Sequence, residues 1–375
     1  MKVGIDARLL AGPLTGIGRY TAELTGEVIK YPGRFFLYSA RPLVVGDWRR
    51  ANTTLRAAGF RTRAGRMLWS QSILPYWAAR DDVDVFWGPT HRLPALLPSS
   101  IARVVTIHDL VWRHAGETMR PLSRFVEGRL FPQAVRLADR IMADSLSTAR
   151  DLAALYPESA SRTRVVYPGH AALPGPLDPA LLKTLGIDRP YVLFVGTLEP
   201  RKNLARLVEA YASLDAAIRD EFLLVIVGGK GWGGVDAGAL VANAGVSSQV
   251  CILGYVEDAE LATLYAHARC LAMPSLYEGF GLPLVEAMAQ GVPVLTSNRS
   301  SLPEVAGEAG HLVDPLDVSA IRAGLERLLK DDVYHARLAG KARETAERFS
   351  WRQAAKETWA VFEEAVEERR QRRGR

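Results

Sequence analysis

The chain has 375 residues, of which 48% are apolar and 23% are charged. This is the composition of a soluble globular protein, and at roughly 100–200 residues per domain the length predicts two domains. No apolar run approaches the ~18 residues that a membrane-spanning helix needs. The N-terminus enters a strand pattern at once, without the apolar core of a signal peptide, so we expect a cytoplasmic protein. Cys251 and Cys270 lie in apolar stretches and are expected to be buried thiols in a reducing compartment.

Charge is distributed unevenly along the chain. Residues 1–175 contain 24 Lys and Arg against 14 Asp and Glu, a net charge of +10. Residues 176–375 contain 23 against 27, a net charge of −4. A half of one sign suggests an anionic partner for that half, such as nucleic acid, a membrane surface or a phosphorylated acceptor.

Short apolar runs alternate with longer amphipathic segments in the first half of the chain. A helical pattern over 20–29 follows the first strand, and most later intervals suit crossover helices. This alternation predicts a parallel α/β sheet. The expected strands cover residues 3–5, 35–38, 83–87, 102–107, 140–143 and 164–167.

A cluster of prolines and glycines at 168–176 predicts a domain boundary, which we place between residues 172 and 173. The same alternation then restarts, and the fully apolar run 222–227 suits a sheet that is covered on both faces. A first domain of residues 1–172 and a second of 173–349 are therefore expected, each Rossmann-like and doubly wound. From residue 318 onward the pattern is helical. Strands are expected at 191–196, 222–227, 249–253, 270–273 and 293–296. Helices are expected at 204–214 and from near Ser350-Trp351, with Ser350 as the N-cap.

Glycines follow the first strand, in Thr15-Gly16-Ile17-Gly18-Arg19-Tyr20. Glycines between a strand and a helix let backbone N–H groups approach a phosphate. The third glycine of a dinucleotide fingerprint is absent, since Thr21 stands there. A phosphate loop and a tight structural turn therefore both remain open.

Two cations follow the strand expected at 191–196, in Gly196-Thr197-Leu198-Glu199-Pro200-Arg201-Lys202-Asn203. Ligands of open α/β sheets bind at the carboxyl ends of the strands. Arg201 provides a planar fork and Lys202 a point charge, which together suit a diphosphate. The alternative is an ordinary charged helix start.

Two carboxylates are paired in the segment 274–287, where Glu278 precedes Glu286 by eight positions. Gly279-Phe280-Gly281 follows the first, and a helix is expected to begin near Pro283. Glycines expose backbone N–H groups, and a helix N-terminus favours negative charge. Acids at such a place are explained if they accept hydrogen bonds from the hydroxyls of a sugar nucleotide.

These motifs together resemble the large retaining glycosyltransferase family with the GT-B fold, usually called family 4. The resemblance covers the whole chain in order, and it is most specific at Glu278 and Glu286. It implies two Rossmann-like domains facing each other across a cleft, with a final helix, about 350–375, that packs back on the first domain. Gly-Ile-Gly-Arg-Tyr together with Leu-Glu-Pro-Arg-Lys-Asn resembles mannosyl- and rhamnosyltransferases of bacterial surface-polysaccharide pathways, which often use GDP-sugars.

The resemblance also implies roles for individual residues. Arg201 and Lys202 would bind the donor diphosphate, and Glu286 the ribose. Glu278 would hold the transferred sugar and phosphate together with the backbone of Gly279, Phe280, Gly281 and Leu282. Gly16 and Gly18 would close over the diphosphate.

His108 ends the strand expected at 102–107. A single histidine is often structural, but its position matches a family histidine that contacts a sugar hydroxyl while its carbonyl lies near the anomeric carbon. His91 is a weaker candidate for the acceptor site.

The segment from Trp48 to Trp77 mixes arginines with aromatic residues and contains no acidic residue. Such a mixture suits an anionic membrane surface or single-stranded nucleic acid, and a solvated loop followed by a core-facing helix is the alternative. The residues considered for membrane or acceptor contact are Arg61, Arg63, Arg66 and Trp69.

The resemblance thus implies a retaining glycosyltransferase that needs neither a metal nor a cofactor, and the basic first half predicts a protein that is peripheral on the inner face of the cytoplasmic membrane. It would move mannose or rhamnose from a nucleoside-diphosphate sugar to a lipid-linked or oligosaccharide acceptor in O-antigen-like synthesis. Asp82-Val83-Asp84 has the letters of a metal motif but lies at a strand start. The alternatives are a GT-B-type sugar-nucleotide epimerase or hydrolase and, further off, a basic nucleic-acid-binding protein.

Overall fold

The computed structural model describes residues 1–12, 14, 16–44, 48, 50–60, 62–170 and 177–374, without the side chains of Arg63 and Ala64. The boundary expected between residues 172 and 173 lies outside these residues. The chain divides into two compact units. The first comprises Met1–Leu110, Phe125–Gly169 and Ser350–Arg375, and the second comprises Val111–Arg124 and His170–Phe349.

The described residues of the first unit form a seven-stranded, wholly parallel sheet in the order β3-β2-β1-β4-β5-β6-β7. A π-helical turn, Trp69–Ile73, joins two of its helices. The elements are β1 (Lys2–Asp6), α1 (Gly16–Val28), β2 (Arg34–Ser39), β3 (Thr53–Ala57), α2 (Arg63–Leu68), α3 (Leu74–Arg80), β4 (Val85–Gly88), β5 (Ala102–Ile107), α5 (Pro121–Leu137, with residues 125–137 in this unit), β6 (Arg140–Ala143), α6 (Leu146–Leu155), β7 (Thr163–Val165) and α16 (Trp351–Gly374).

The C-terminal helix α16 packs on α1, β5 and β6 of the first unit. Charged pairs fasten its distal half to the start of β6. Arg140 lies 3.0 Å from Glu364, and Arg369 lies 2.6 Å from the buried Asp139. The helix begins at Trp351, as the sequence predicts.

The described residues of the second unit form a six-stranded parallel sheet in the order β10-β9-β8-β11-β12-β13. Strand Leu223–Val227 is buried along its whole length, which explains its continuous apolar sequence. The elements are α4 (Val111–His114), α7 (Ala180–Thr184), β8 (Tyr191–Val195), α8 (Leu204–Ala212), α9 (Ala216–Glu221), β9 (Leu223–Val227), α10 (Ala237–Asn243), β10 (Val250–Gly254), α11 (Asp258–Ala266), β11 (Cys270–Met273), α12 (Leu282–Ala289), β12 (Val294–Ser297), α13 (Leu302–Ala306), β13 (Gly310–Val313), α14 (Val318–Lys330) and α15 (Asp332–Ala346).

The predicted α/β class with two parallel, Rossmann-like sheets is therefore confirmed. Both cysteines are free thiols, but Cys251 is only partly buried, contrary to expectation, because β10 is an edge strand. Cys270 is fully buried in β11, and burial raises the pKa of its thiol to about 12. Among the described helices, none combines the length and the apolar character that crossing a bilayer requires.

Candidate active site

The candidate donor site lies at the carboxyl edge of the second sheet, where β8 and β11 are neighbours. The chain builds β9 and β10 on one side of β8 and then continues with β11 on its other side. Such a reversal of strand order opens a crevice in which ligands of α/β sheets bind. The motif with Arg201 and Lys202 follows β8, and the motif with Glu278 follows β11, so the topology brings the two together.

Arg201 and Lys202 lie in a short 3-10 turn, Pro200–Lys202, that ends at Asn203 in the left-handed conformation, with φ of 61°. Both cations reach Glu278. Arg201 Nη1 donates to Glu278 Oε2 at 2.5 Å, and Lys202 Nζ donates to Glu278 Oε1 at 2.7 Å. Each oxygen of the Glu278 carboxylate thus accepts from a different cation.

Glu278 is buried, with 7% of its surface exposed. Burial raises the pKa of its carboxyl, but the charges of Arg201 and Lys202 and their hydrogen bonds outweigh burial and bring the pKa to about 2. Glu278 is therefore ionised at neutral pH. An ionised carboxylate accepts hydrogen bonds and does not donate them, which excludes Glu278 as a general acid in this state.

Buried polar contacts tie the turns of this edge together. Asn203 Nδ2 donates to the carbonyl oxygens of Pro274 and Pro315, at 2.9 and 2.7 Å, and so joins the turns after β8, β11 and β13. Ser300 Oγ accepts from the backbone N–H of Glu278 at 2.9 Å. Ser301 Oγ lies within 3.0 Å of the carbonyl oxygens of Glu278 and Phe280. The loop that bears Glu278 is therefore held from both sides.

Glu286 lies in α12 and is buried, with 6% of its surface exposed. Tyr265, at the end of α11, donates its hydroxyl to Glu286 Oε2 at 2.9 Å. Gly281 stands at the N-cap of α12 with φ of 108°, a conformation that favours glycine, and the helix begins at Leu282 as predicted. The N-terminus of α12 thus lies directly after the Glu278 loop, where its dipole favours an anion. The roles of Glu286, Gly279, Phe280 and Leu282 toward a donor stay predictions.

Gly16 and Gly18 occupy the first turn of α1, after β1 in the first unit. Gly16 is exposed, and a Cβ there would meet nothing within 4 Å. Gly18 is buried, and a Cβ there would lie 3.3 Å from the Leu14 side chain. Thr15, the residue before this turn, lies outside the described residues. Closure of the turn over a diphosphate stays a prediction.

His108 follows β5, and its side chain is buried. Its Nδ1 lies 2.6 Å from Asp144 Oδ2, and its Nε2 lies 2.8 Å from the carbonyl oxygen of Pro89. Burial lowers the pKa of the imidazole, but the charge of Asp144 and these hydrogen bonds outweigh burial and raise it. Both ring nitrogens therefore have protein partners, and contact with a sugar hydroxyl would require one of these bonds to be shared or broken.

His91 is also buried, and its Nε2 accepts from the backbone N–H of His108 at 2.8 Å. Its Nδ1 lies 3.9 Å from Glu127. These contacts make His91 a support for the turn that bears His108. They do not place it on an exposed acceptor surface.

The structure corrects one expectation for the basic segment. Trp69 is completely buried, packs against Trp77 and lies beneath the guanidinium of Arg8, so it is a core residue and does not face a membrane. Arg61 and the side chain of Arg63 lie outside the described residues, while Arg66 is partly buried in α2. The same helical run exposes Met67, Leu68 and Tyr76 instead.

No group of three or more His, Cys, Asp or Glu side chains within the described ranges is arranged to hold a metal ion. Of the two acids in the Asp82-Val83-Asp84 sequence, Asp82 pairs with the Lys2 side chain at 2.9 Å. Asp84 accepts from the Lys2 backbone N–H at 2.7 Å. Both acids thus support the start of β1, and metal independence stays a prediction.

Four further residues support the site, namely Asn203, Tyr265, Ser300 and Ser301. Of these, the sequence marks only Asn203, as the last residue of the motif after β8. Ser300 and Ser301 follow the end of β12, and their position after a strand end is the signal that could have indicated them. Tyr265 and Asn203 reach partners 21 and up to 112 positions away, which residue spacing does not report.

Comparison with known proteins identifies the class of this protein: the chain belongs to glycosyltransferase family 4. The model described as "Glycosyltransferase Family 4" matches residues 15–172, and "Glycosyl transferases group 1" matches residues 182–345. The resemblance inferred from the motifs and the expected GT-B class are thus confirmed.

Among its relatives, O-antigen chain mannosyltransferase B of Escherichia coli is 32% identical over 391 aligned positions, which cover 96% of this chain and 98% of that protein. MMP alpha-(1->4)-mannosyltransferase of Mycolicibacterium hassiacum is 40% identical over 171 residues, covering 44% of this chain and 41% of that protein. The crystal structure of WaaG, a glycosyltransferase involved in lipopolysaccharide biosynthesis, superposes with a TM-score of 0.76 at 20% identity, covering 96% of this chain and 99% of WaaG. These relatives are transferases and do not favour the epimerase, hydrolase or nucleic-acid-binding alternatives.

Proposed function

We propose that this glycosyltransferase moves mannose from a nucleoside-diphosphate sugar to a growing surface polysaccharide of the O-antigen type. The proposed donor is GDP-mannose. The mannosyl assignment is supported by the names of the E. coli and M. hassiacum relatives. The acceptor would be lipid-linked or a free oligosaccharide.

The observation that carries the proposal is the Arg201–Glu278–Lys202 cluster at the β8–β11 crevice. A leaving nucleoside diphosphate gains negative charge as its bond to the sugar breaks, and preorganised cations stabilise that charge without a metal. Lys202 is the better direct ligand, because an ammonium has three N–H donors and one of them is on Glu278. Arg201 is more committed to the protein, since its two Nη atoms bind Tyr277, Glu278 and Glu199.

Glu278 would orient the sugar in this arrangement. Its ionised carboxylate can accept from sugar hydroxyls when the diphosphate draws Lys202 partly away from it. We further propose transfer with retention. The acceptor oxygen bonds to the anomeric carbon on the face from which the diphosphate leaves, and the acceptor proton passes to a phosphate oxygen of the leaving group.

The first unit would meet the membrane if the acceptor is a lipid diphosphate. Arg66 and the exposed Met67, Leu68 and Tyr76 lie on the continuous helical run from α2 to α3. Cations with exposed apolar side chains are the combination that binds an anionic lipid surface.

The proposal is tested with purified protein and a panel of donors: GDP-mannose, GDP-rhamnose, UDP-glucose and dTDP-rhamnose. Nucleotide binding is measured first as a shift in melting temperature with GDP, UDP, ADP and dTDP, because a ligand of the folded state raises it. Transfer is then followed as nucleotide release with a polyprenyl-diphosphate oligosaccharide, with and without EDTA. We expect GDP to stabilise most, GDP-mannose to be consumed only with acceptor, and EDTA to change little. Consumption of UDP-glucose instead would overturn the donor assignment, and epimerised or hydrolysed donor without acceptor would overturn transfer.

A further inference from the structure

Glu199 is a buried carboxylate that the proposed mechanism does not use. It precedes the turn Pro200–Lys202, and only 2% of its surface is exposed. A carboxylate without solvent needs a partner, because an unpaired buried charge is costly. Glu199 Oε1 accepts from Arg201 Nη2 at 2.5 Å.

Arg201 joins Glu199 to Glu278. Its Nη2 donates to Glu199, while its Nη1 donates to Glu278 Oε2 at 2.5 Å and to the Tyr277 carbonyl oxygen at 2.8 Å. A guanidinium is planar and rigid, so a bond that fixes one of its Nη atoms also limits where the other can lie. Glu199 therefore constrains the cation from the side opposite Glu278.

We propose that Glu199 is a positioning residue of the donor site: through Arg201 it fixes the edge of the guanidinium that faces Glu278 and the leaving diphosphate. The inference rests on the proposed function, since it assigns Glu199 to the same site. When a diphosphate draws Lys202 toward itself, Arg201 stays in place because Glu199, the partner of its Nη2, is buried and does not move with the ligand.

A carboxylate with a purely structural role would stabilise the folded protein. The electrostatics of Glu199 do not favour such a role. Burial raises the pKa of its carboxyl, the nearby Glu278 raises it further, and the charges of Arg201 and Lys202 offset this only in part. A raised pKa means that the folded state favours the neutral form of this carboxyl more than the unfolded state does. A neutral side chain of the same shape should not destabilise the protein.

The test compares Glu199→Gln with Glu308→Gln, which alters an exposed carboxylate of the same unit whose side chain is 76% exposed. Melting temperature, kcat and KM are measured with GDP-mannose and the lipid-linked acceptor. For Glu199→Gln we expect kcat to fall by about 10-fold, because a neutral acceptor binds a guanidinium more weakly than a carboxylate does. KM should stay within about threefold, the pattern of an interaction that matters in the transition state, and the melting temperature should be unchanged or higher. Activity and melting temperature that fall together would make Glu199 structural and overturn the proposal.

A double-mutant cycle with Arg201→Met tests whether Glu199 acts through Arg201. If it does, adding Glu199→Gln to Arg201→Met costs no further activity, whereas independent residues would show multiplied losses. The wild-type measurements separate this inference from the proposed function. A wild type that binds no nucleoside diphosphate and consumes no sugar nucleotide overturns both. A wild type that is active while Glu199→Gln matches Glu308→Gln overturns the role of Glu199 alone.

Discussion

Lys202 and Arg201 carry the same charge next to Glu278, but their hydrogen bonds differ. Arg201 is held by three protein partners, whereas Lys202 is the better direct ligand of a diphosphate. We expect Lys202→Met to lower kcat by ~100-fold, the typical loss when one preorganised group that stabilises the transition-state charge is removed. Lys330→Met is the matched control, because Lys330 is exposed and pairs with Glu221 at 2.9 Å on the surface of the same unit. Near-wild-type turnover in Lys202→Met, with the control also active, would remove Lys202 from the diphosphate site.

Glu278 should make stability depend on pH in a defined direction. Its pKa is lowered to about 2 in the folded protein, against an ordinary value near 4.5. Its ionised form therefore stabilises the fold above about pH 4.5, and this contribution, of order 3 kcal/mol, is lost as the pH falls toward 2. The free energies of unfolding of wild type and Glu278→Gln are compared in urea between pH 7 and pH 3. We expect the difference between them to narrow toward acid, and a constant difference would show that the ion pairs do not stabilise the protein.

The sequence identifies the charged residues of this site, but it does not show which of them pair with each other. Arg201 and Lys202 are cations at a strand end and predict an anion site, and Glu278 at another strand end predicts an acceptor for sugar hydroxyls. The sequence does not show that Glu278 holds both cations, because the pairing depends on the β8–β11 neighbourhood. Trp69 was expected at a membrane or acceptor surface but lies in the core, because an aromatic residue among arginines can equally face the core.

Helix α12 presents its N-terminus to the site through Gly281. Its φ of 108° is unfavourable for other residues, and a Cβ there would lie 3.0 Å from the Leu302 side chain. We expect Gly281→Ala to destabilise the protein by about 1–3 kcal/mol and to lower activity as the Glu278 loop shifts. Gly340→Ala in α15 is the control, since nothing lies within 4 Å of a Cβ there and alanine favours a helix by about 1 kcal/mol. Urea unfolding measures both, and equal stabilities of the two variants would contradict a strained N-cap.

Elements with an apolar signature were predicted well, and those without one were missed. The buried strands β1, β5 and β9 match the expected segments within a residue or two. The two missed strands, β3 and β13, are edge strands with partly exposed residues, and their sequences contain no long apolar run. An edge strand is hydrogen-bonded to one neighbour only and stays partly exposed. Its sequence therefore does not need the apolar pattern by which a buried central strand is recognised.

For the molecule as a whole, the excess of positive charge in residues 1–175 points to an anionic partner. The structure also shows exposed apolar side chains within these residues. Met67, Leu68 and Tyr76 are 63%, 62% and 61% exposed, on a run of helices that contains no acidic residue. Charge alone would suit any polyanion, but apolar side chains gain free energy only where they leave water, as they do at a lipid surface.

We therefore expect the protein to co-sediment with vesicles that contain anionic lipid at low salt and to dissociate as salt is raised, because screening weakens the attraction. Changing Arg61, Arg63 and Arg66 to Gln should weaken binding by ~100-fold, at about 1 kcal/mol for each basic residue near the surface. Met67→Ser with Leu68→Ser should weaken binding at high salt as well, since the apolar contribution is not screened.

Val333→Ser is the control, because Val333 is 84% exposed but lies in α15 of the second unit. GDP binding, measured by thermal shift, should be unchanged in all these variants. Equal sedimentation of wild type and the arginine variant would assign the positive charge to a soluble acceptor instead.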